Sequence, residues 1–180
     1  MQQDPFLDSP LWHFALKFYS RPRVPPACLT LQEIAGVDVC LLLFSLYCAL
    51  TKRFISQQRL RQCDEKLRDW RSSVILPLRH IRQEMKMNLS TTRFESMSNL
   101  RQKIKDLEVN AEQISLAILY EEFQTLLNDD AENSDAATIL NAVIEIYDVE
   151  EKVDRLTLHG ESVRSAFAIL SDELHQFSSK

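Results

Sequence analysis

From Val39 to Leu50 the chain runs for twelve residues without a charge, interrupted only by Ser45. As an α-helix this stretch is about 18 Å long. A bilayer core is about 30 Å thick and calls for about 20 apolar residues, so the run is too short to cross one. It also lies well inside the chain, with no small-residue cleavage site after it, which excludes a signal peptide. A short helix that is apolar on every side is predicted to be the buried centre of a helical domain. Asp38 offers its carboxylate to the first-turn N–H groups as an N-cap, and Gly36 can end the preceding helix in a left-handed conformation.

The other elements follow from spacing and punctuation. Ser9-Pro10 predicts a helix start, carried by LWHFALKFY and broken at Arg21-Pro22. Pro25-Pro26 opens a second helix that ends at Gly36. After the apolar run, Lys52 and Arg53 mark its exit into water. Ser56 caps a long segment in which Leu60, Cys63, Leu67, Trp70, Val74, Pro77 and Ile81 recur at three and four residues. That stripe keeps its phase through Pro77, so one helix kinked at Pro77 is expected, ending near Asn88. Ser90-Thr91-Thr92 offers the next cap. Met97, Leu100, Ile104, Leu107, Ala111, Ile114 and Ile118 then hold a strict 3-4 repeat, with Phe94 ahead of it. The repeat fits a long helix of an intramolecular bundle, with a coiled coil as the alternative. Residues 128–135 read as a loop. Ile139, Val143, Ile146 and Tyr147 mark a further helix, and Val163, Ala166, Phe167, Leu170, Leu174 and Phe177 a last one.

Composition narrows the class. The 180 residues include two glycines, where average usage gives about 12. Sheets with tight turns and phosphate-binding loops both need more. Five of the six prolines lie in the first 26 residues, leaving most of the chain free to be helical. The expectation is an all-α, single-domain bundle of about six helices over residues 9–178, behind a tail at 1–8. Cys28, Cys40, Cys48 and Cys63 form no CxxC pair and lie in apolar or helical stretches, which predicts buried, reduced thiols and a cytoplasmic location. His13, His80, His159 and His175 are too scattered to complete a zinc site with them.

Three blocks, LWHFALKFYSRPRVPPACLTLQE, GVDVCLLLFSLYCA and WRSSVILPLRHIRQEMK, stand in a specific order and spacing. Over about residues 10 to 120 the chain thereby resembles a proteobacterial family of small helical proteins known only as a domain of unknown function. Trp12, Gln32, Asp38, Trp70, Pro77, Leu78 and Arg79 carry the resemblance. The family pattern has asparagine after Asp-Val, where Cys40 stands here. The resemblance implies a bacterial, soluble, mostly helical protein, and brings with it no reaction, ligand or catalytic residue.

Charge is unevenly spread. The net is −1 over residues 1–51, +6 over 52–100 and −10 over 101–180. Arg68, Arg71, Arg79, Arg82 and Lys86 fall roughly opposite the apolar stripe of the kinked helix. Asp64 can pair with Arg68 at i, i+4, whereas Arg79 and Arg82 have no acid at that spacing. These five form a solvated face partly paired with acidic helices of the same fold, or a docking surface for an acidic protein, or a site for RNA. Nucleic acid is not expected, because the chain is acidic and lacks stacking or groove-reading motifs.

Enzyme signatures are weak. Asp172 and His175 stand at i, i+3, but a di-metal bundle needs that motif twice with two more glutamates. His80 and Glu84 read as a surface pair. There is no phosphate loop, dinucleotide fingerprint or nucleophile elbow. Trp12, Phe14, Phe18 and Tyr19 are expected in the core. A pocket using Trp12, His13, Trp70 and Arg79 is the alternative, and would make the chain a small-molecule binding or catalytic bundle. The favoured function is a non-enzymatic interaction or adaptor module with no cofactor, no membrane span and a possible acidic protein partner.

Overall fold

The computed structural model describes residues 6–88, 95–126, 136–148 and 160–178. Its helices, in chain order, are α1 (Pro10–Tyr19), α2 (Val24–Ala35), α3 (Val39–Leu50), α4 (Gln57–Trp70), α5 (Leu76–Asn88), α6 (Glu95–Gln124), α7 (Ala136–Asp148) and α8 (Glu161–Ser178). A π-helical turn, Arg71–Ile75, joins α4 to α5 without a break, so the two run on as one rod. Counted that way there are seven helices, and no strand among the described residues. The fold is the expected all-α bundle.

The helix starts obey their local chemistry. Ser9 Oγ accepts from the Trp12 N–H at 3.2 Å, Asp38 Oδ1 from Leu41 at 2.9 Å and Ser56 Oγ from Arg59 at 3.2 Å. Each satisfies a first-turn donor that has no partner within its own helix. At the end of α2, Gly36 takes φ +66° and the Gly36 and Val37 N–H groups both reach back to the Leu31 carbonyl. Nothing lies within 4 Å of where a Cβ would stand at Gly36. Gly36→Ala should therefore cost only the left-handed backbone strain, about 1 kcal/mol, readable as a shifted midpoint in urea unfolding with an unchanged slope. The Ser90–Thr92 cap and the 128–135 loop fall outside the described residues.

The apolar run forms the centre, as its pattern predicts. Eight of the twelve residues of α3 are buried, and they point in every direction around the helix. Helices α1, α2, α4, α6, α7 and α8 all pack against it. Phe14 and Phe18 stack at 5.2 Å and meet Phe177 of α8 edge-on, while Tyr47 of α3 lies against Phe123 of α6. All four cysteines are buried and free. Arg21 and Arg23 both reach Glu173, which ties α8 to the α1–α2 corner. No described helix is long and apolar enough to cross a membrane.

Two sequence stripes do not keep the phase expected of them. In α4 the buried positions are Leu60, Cys63, Asp64 and Leu67, in line with the repeat. Past Val74 the repeat points to Pro77 and Ile81, yet both are exposed. Ile75, Leu78, Arg79, Arg82 and Met85 are the covered positions instead. The π-turn is the cause: the Leu76 N–H bonds to the Arg71 carbonyl five residues back rather than four. That surplus residue turns everything after it by about 100°. In α6 the covered face runs through Ala111, Ser115, Leu116, Leu119 and Phe123, and Leu100 and Leu107 of the 3-4 repeat are exposed. The buried apolar cluster takes residues from Leu11 to Leu67 and from Leu116 to Leu174, none from α5 or the first half of α6. Helix α5 and the first half of α6 thus lie outside the central core.

Candidate functional site: an ion-pair seam at the π-turn

The π-turn re-aims Arg79 and Arg82 at carboxylates distant in sequence, and Arg71 at its start joins one near acid and one distant one. Arg71, inside the turn, places Nη1 2.9 Å from Asp38 Oδ2 and 2.8 Å from Asp64 Oδ1. Asp38 thus caps α3 with one oxygen and holds Arg71 with the other. Tyr147 of α7 closes this group. Its hydroxyl accepts from the Asp38 N–H at 3.1 Å and donates to Asp64 Oδ1 at 3.2 Å. Burial pushes the Tyr147 phenol well up, reinforced by Asp38 and Asp64, so it stays a neutral donor. Desolvation works against the Arg71 charge, but the hydrogen bond it donates to Asp64 and the field of Asp38 outweigh it and hold the guanidinium charged.

Two turns further on, Arg79 is shared among three partners. Nε donates to Glu108 Oε1 at 2.8 Å, Nη1 to Gln32 Oε1 at 2.8 Å and Nη2 to Glu112 Oε1 at 2.6 Å. Arg82 donates through Nε to Glu108 Oε2 and through Nη2 to Glu108 Oε1 at 3.1 Å. Glu108, with a side chain only 6% exposed, is therefore clamped between two arginines. The two glutamates respond in opposite directions. Burial pushes Glu108 up, but hydrogen bonds from Arg82 and Arg79 outweigh it and hold its carboxyl below the usual range. Burial pushes Glu112 up, and Arg79 only partly offsets that. Tyr19, nearby, is raised to about 12, chiefly by burial and then by the neighbouring Cys28 and Glu112. The Cys40 thiol points at the Glu112 carbonyl at 3.8 Å, and burial pushes it far up, so it is no nucleophile.

The residues singled out from sequence divide accordingly. Arg71, Arg79 and Arg82 turn inward and find non-local acids, while Arg68 and Lys86 are exposed. Of the pocket residues, Trp70 donates from Nε1 to the Ala111 carbonyl at 3.0 Å, next to Glu112, so Trp70 and Arg79 meet the same stretch of α6. Trp12 is part-buried against the core, and His13 stands exposed, 2.7 Å from Asp8. Sequence spacing missed Asp38, Asp64, Glu108, Glu112, Gln32 and Tyr147 as a group. One signal pointed their way: Gln32, Asp38, Trp70 and Arg79 are among the residues that carry the family resemblance. No group of three or more histidine, cysteine or acidic side chains that could hold a metal occurs among the described residues. With three nitrogens of Arg79 and the indole N–H of Trp70 already engaged, the seam holds helices in place more readily than it offers free donors to a ligand.

Comparison with known proteins gives one finding. The model of a family described as "Protein of unknown function (DUF2390)" matches residues 10–119, which takes in α1 to α5 and most of α6. No curated protein matches the chain, and no solved structure does.

Proposed function

We propose that this chain, which belongs to the DUF2390 family of proteins of unknown function, is a protein-interaction module that docks an amphipathic helix of a partner on one side of its α5–α6 pair. The observation that carries the reading is the exposure of Leu100 and Leu107, 53% and 54%, in a repeat whose next member, Ala111, is covered. The two helices run antiparallel, since Arg79 meets Glu108 and Glu112 while Arg82 meets Glu108 and its carbonyl accepts from Arg101. Ile81, Leu100 and Leu107 each precede by one a residue that faces the seam. In an antiparallel pair that offset puts all three on the same side. Ile81 is itself 47% exposed.

Two antiparallel helices with an apolar side offer the groove that a third helix fills, with anchors at three- and four-residue spacing. Lys103 stands exposed between Leu100 and Leu107, and Lys86 is exposed near the end of α5. The partner helix therefore carries acidic residues beside its apolar stripe. In this reading Arg71, Arg79 and Arg82 are the footing of the docking surface, and the lysines supply its charge.

The double variant Leu100→Glu/Leu107→Glu should fold normally, within about 0.5 kcal/mol of the parent, as surface changes do. Amine-reactive crosslinking in cells that make the protein should join Lys86 and Lys103 to one acidic helical segment. The double variant should lose those crosslinks, and Leu29→Glu, at an exposed position on α2, should keep them. Identical crosslinks from parent and double variant would sink the proposal. So would a complex dissolved by nuclease, which assigns the contact to nucleic acid.

A further inference from the structure

The docking side takes in Ile81, Leu100 and Leu107. The other exposed leucines among the described residues are Leu16 on α1, Leu29 on α2 and Leu76 on α5, at 48%, 44% and 47%. Each stands three residues before a side chain of one cluster, Tyr19, Gln32 or Arg79. Residues at that spacing share a helix face, so each leucine lies beside its polar partner. Gln32 accepts from Arg79 Nη1 at 2.8 Å and Glu112 of α6 from Nη2 at 2.6 Å, while the half-buried Tyr19 phenol lies in the field of both Glu112 and Arg79. Four helices thus bring four polar groups together, with an exposed leucine next to three of them. Leu76 and Ile81 are five residues apart, about 140° around α5. This face and the docking side therefore lie on opposite flanks of the seam.

The cluster's donors are spent and its acceptors are not. Arg79 uses its three nitrogens on Glu108, Gln32 and Glu112. Glu108 accepts three guanidinium hydrogen bonds and Glu112 one, at Oε1. Among the described residues no group bonds Glu112 Oε2 or the Tyr19 hydroxyl. The groups that face Glu112 are Arg79 of α5, Glu108 of α6 and Asp38 at the start of α3, with the neutral Cys40 thiol of α3 and Tyr19 phenol of α1. Burial pushes the Glu112 carboxyl up, Arg79 draws it down, and Glu108 and Asp38 push it up again. The junction is short of positive charge. The Glu112 side chain is 28% exposed, so a group from solvent reaches it.

We propose that this face binds a small primary ammonium ligand with an alkyl body. The ammonium donates to Glu112 Oε2 and to the Tyr19 hydroxyl oxygen, and the alkyl body lies over the leucine rim. Open acceptors and missing positive charge together select the head group. An anion meets Glu112 and finds the Arg79 donors taken. A quaternary ammonium has no N–H to give. A guanidinium forks onto two carboxylate oxygens, and Glu112 has one free. A primary ammonium needs a single oxygen as its charged partner and turns its other donors freely. The rim consists of helix sides, whose backbone groups are already bonded, so an extended peptide finds no main-chain partners there. The site stands apart from the docking proposal.

The test titrates n-hexylammonium, n-hexanol and n-hexanoate into the full chain at pH 7, followed by amide and side-chain NMR. The ammonium should bind about tenfold more tightly than either comparator, the difference between a charge-assisted and a neutral hydrogen bond. It should move the Gln32 side-chain amide and the backbone amides of Leu16, Leu29 and Leu76. From n-butyl to n-hexyl, affinity should rise about threefold per methylene as the rim is covered. Glu112→Gln removes a charge that burial disfavours and keeps the fold; it should lose the preference for ammonium over alcohol. Tyr19→Phe should weaken n-hexylammonium about threefold, and Leu100→Glu/Leu107→Glu should bind it as the parent does. As a second reading, saturating n-hexylammonium should lower the titration midpoint of the Glu112 carboxyl in the parent, and n-hexanol should leave it in place. Equal affinities for the three probes would overturn the proposal, as would an ammonium preference that survives in Glu112→Gln. Shifts gathered around Leu100 and Leu107 would place the ligand on the docking side instead and overturn it too. If Glu112→Gln does not fold, the midpoint in the parent decides, and one unmoved by n-hexylammonium excludes the site.

Discussion

Leu42→Asp should abolish the folded state. Leu42 has no exposed surface and sits on the helix that six others surround. The substitution removes a fully buried leucine, worth about 2–5 kcal/mol with its cavity, and puts an unpaired carboxylate in its place, worth several more. The sum approaches the whole stability of a typical domain, about 5–15 kcal/mol. Neighbouring Leu41, Phe44 and Leu46 are equally buried, so no small rearrangement brings water to the charge. Leu42→Met is the control and should cost less than about 1.5 kcal/mol, since it keeps volume and polarity. Thermal unfolding followed by circular dichroism decides the matter. A Leu42→Asp protein that melts cooperatively at the parent temperature would show that α3 is not the core.

That expectation rests on features the sequence states locally. Ser9, Asp38 and Ser56 cap helices because a short polar side chain needs only the next turn to act on. Gly36 ends α2 because only a residue without a Cβ takes φ +66° freely. The depth of α3 follows from an apolar run with no polar side to turn outward. The seam was not legible for the opposite reason. Arg79 lies 29 residues from Glu108 and 33 from Glu112, and Arg71 lies 33 from Asp38. No i, i+4 rule reaches so far, so spacing left Arg79 and Arg82 without acids and aimed them outward. Pro77 did mark a disturbance in the helix, but a kink and a π-turn carry the same sequence signal. Only the π-turn changes which residues come after it on the inner face. Asp38 was read as a cap, which it is; the use of its second oxygen by Arg71 depends on where α4 passes, and that is a property of the whole bundle.

Glu108→Gln tests whether the seam is a working part of the fold. The side chain accepts from two arginines, and the amide keeps one acceptor while losing the charge. Removing one partner of a buried pair costs about 3–5 kcal/mol. The low end, about 3 kcal/mol, applies here because Arg79 and Arg82 remain 17% and 22% exposed. For a chain of this size that lowers the melting temperature by roughly 6–12 °C. The effect should depend on pH with a definite sign. The arginines hold the Glu108 carboxyl below its ordinary range. Its stabilisation is therefore complete above the unfolded value, about 4.3, and is lost as pH falls through the folded one. Parent and variant should differ most at neutral pH and converge in acid. Glu112 is raised by burial, so its linkage runs the other way. What it contributes is present below about 4.3 and is lost as pH rises through the raised value. Glu112→Gln should accordingly be neutral or stabilising at pH 7, because it removes a charge that burial disfavours. If Glu112→Gln proved the more damaging of the two at pH 7, or the cost of Glu108→Gln grew in acid, Glu108 would not be the carboxylate that holds α5 against α6.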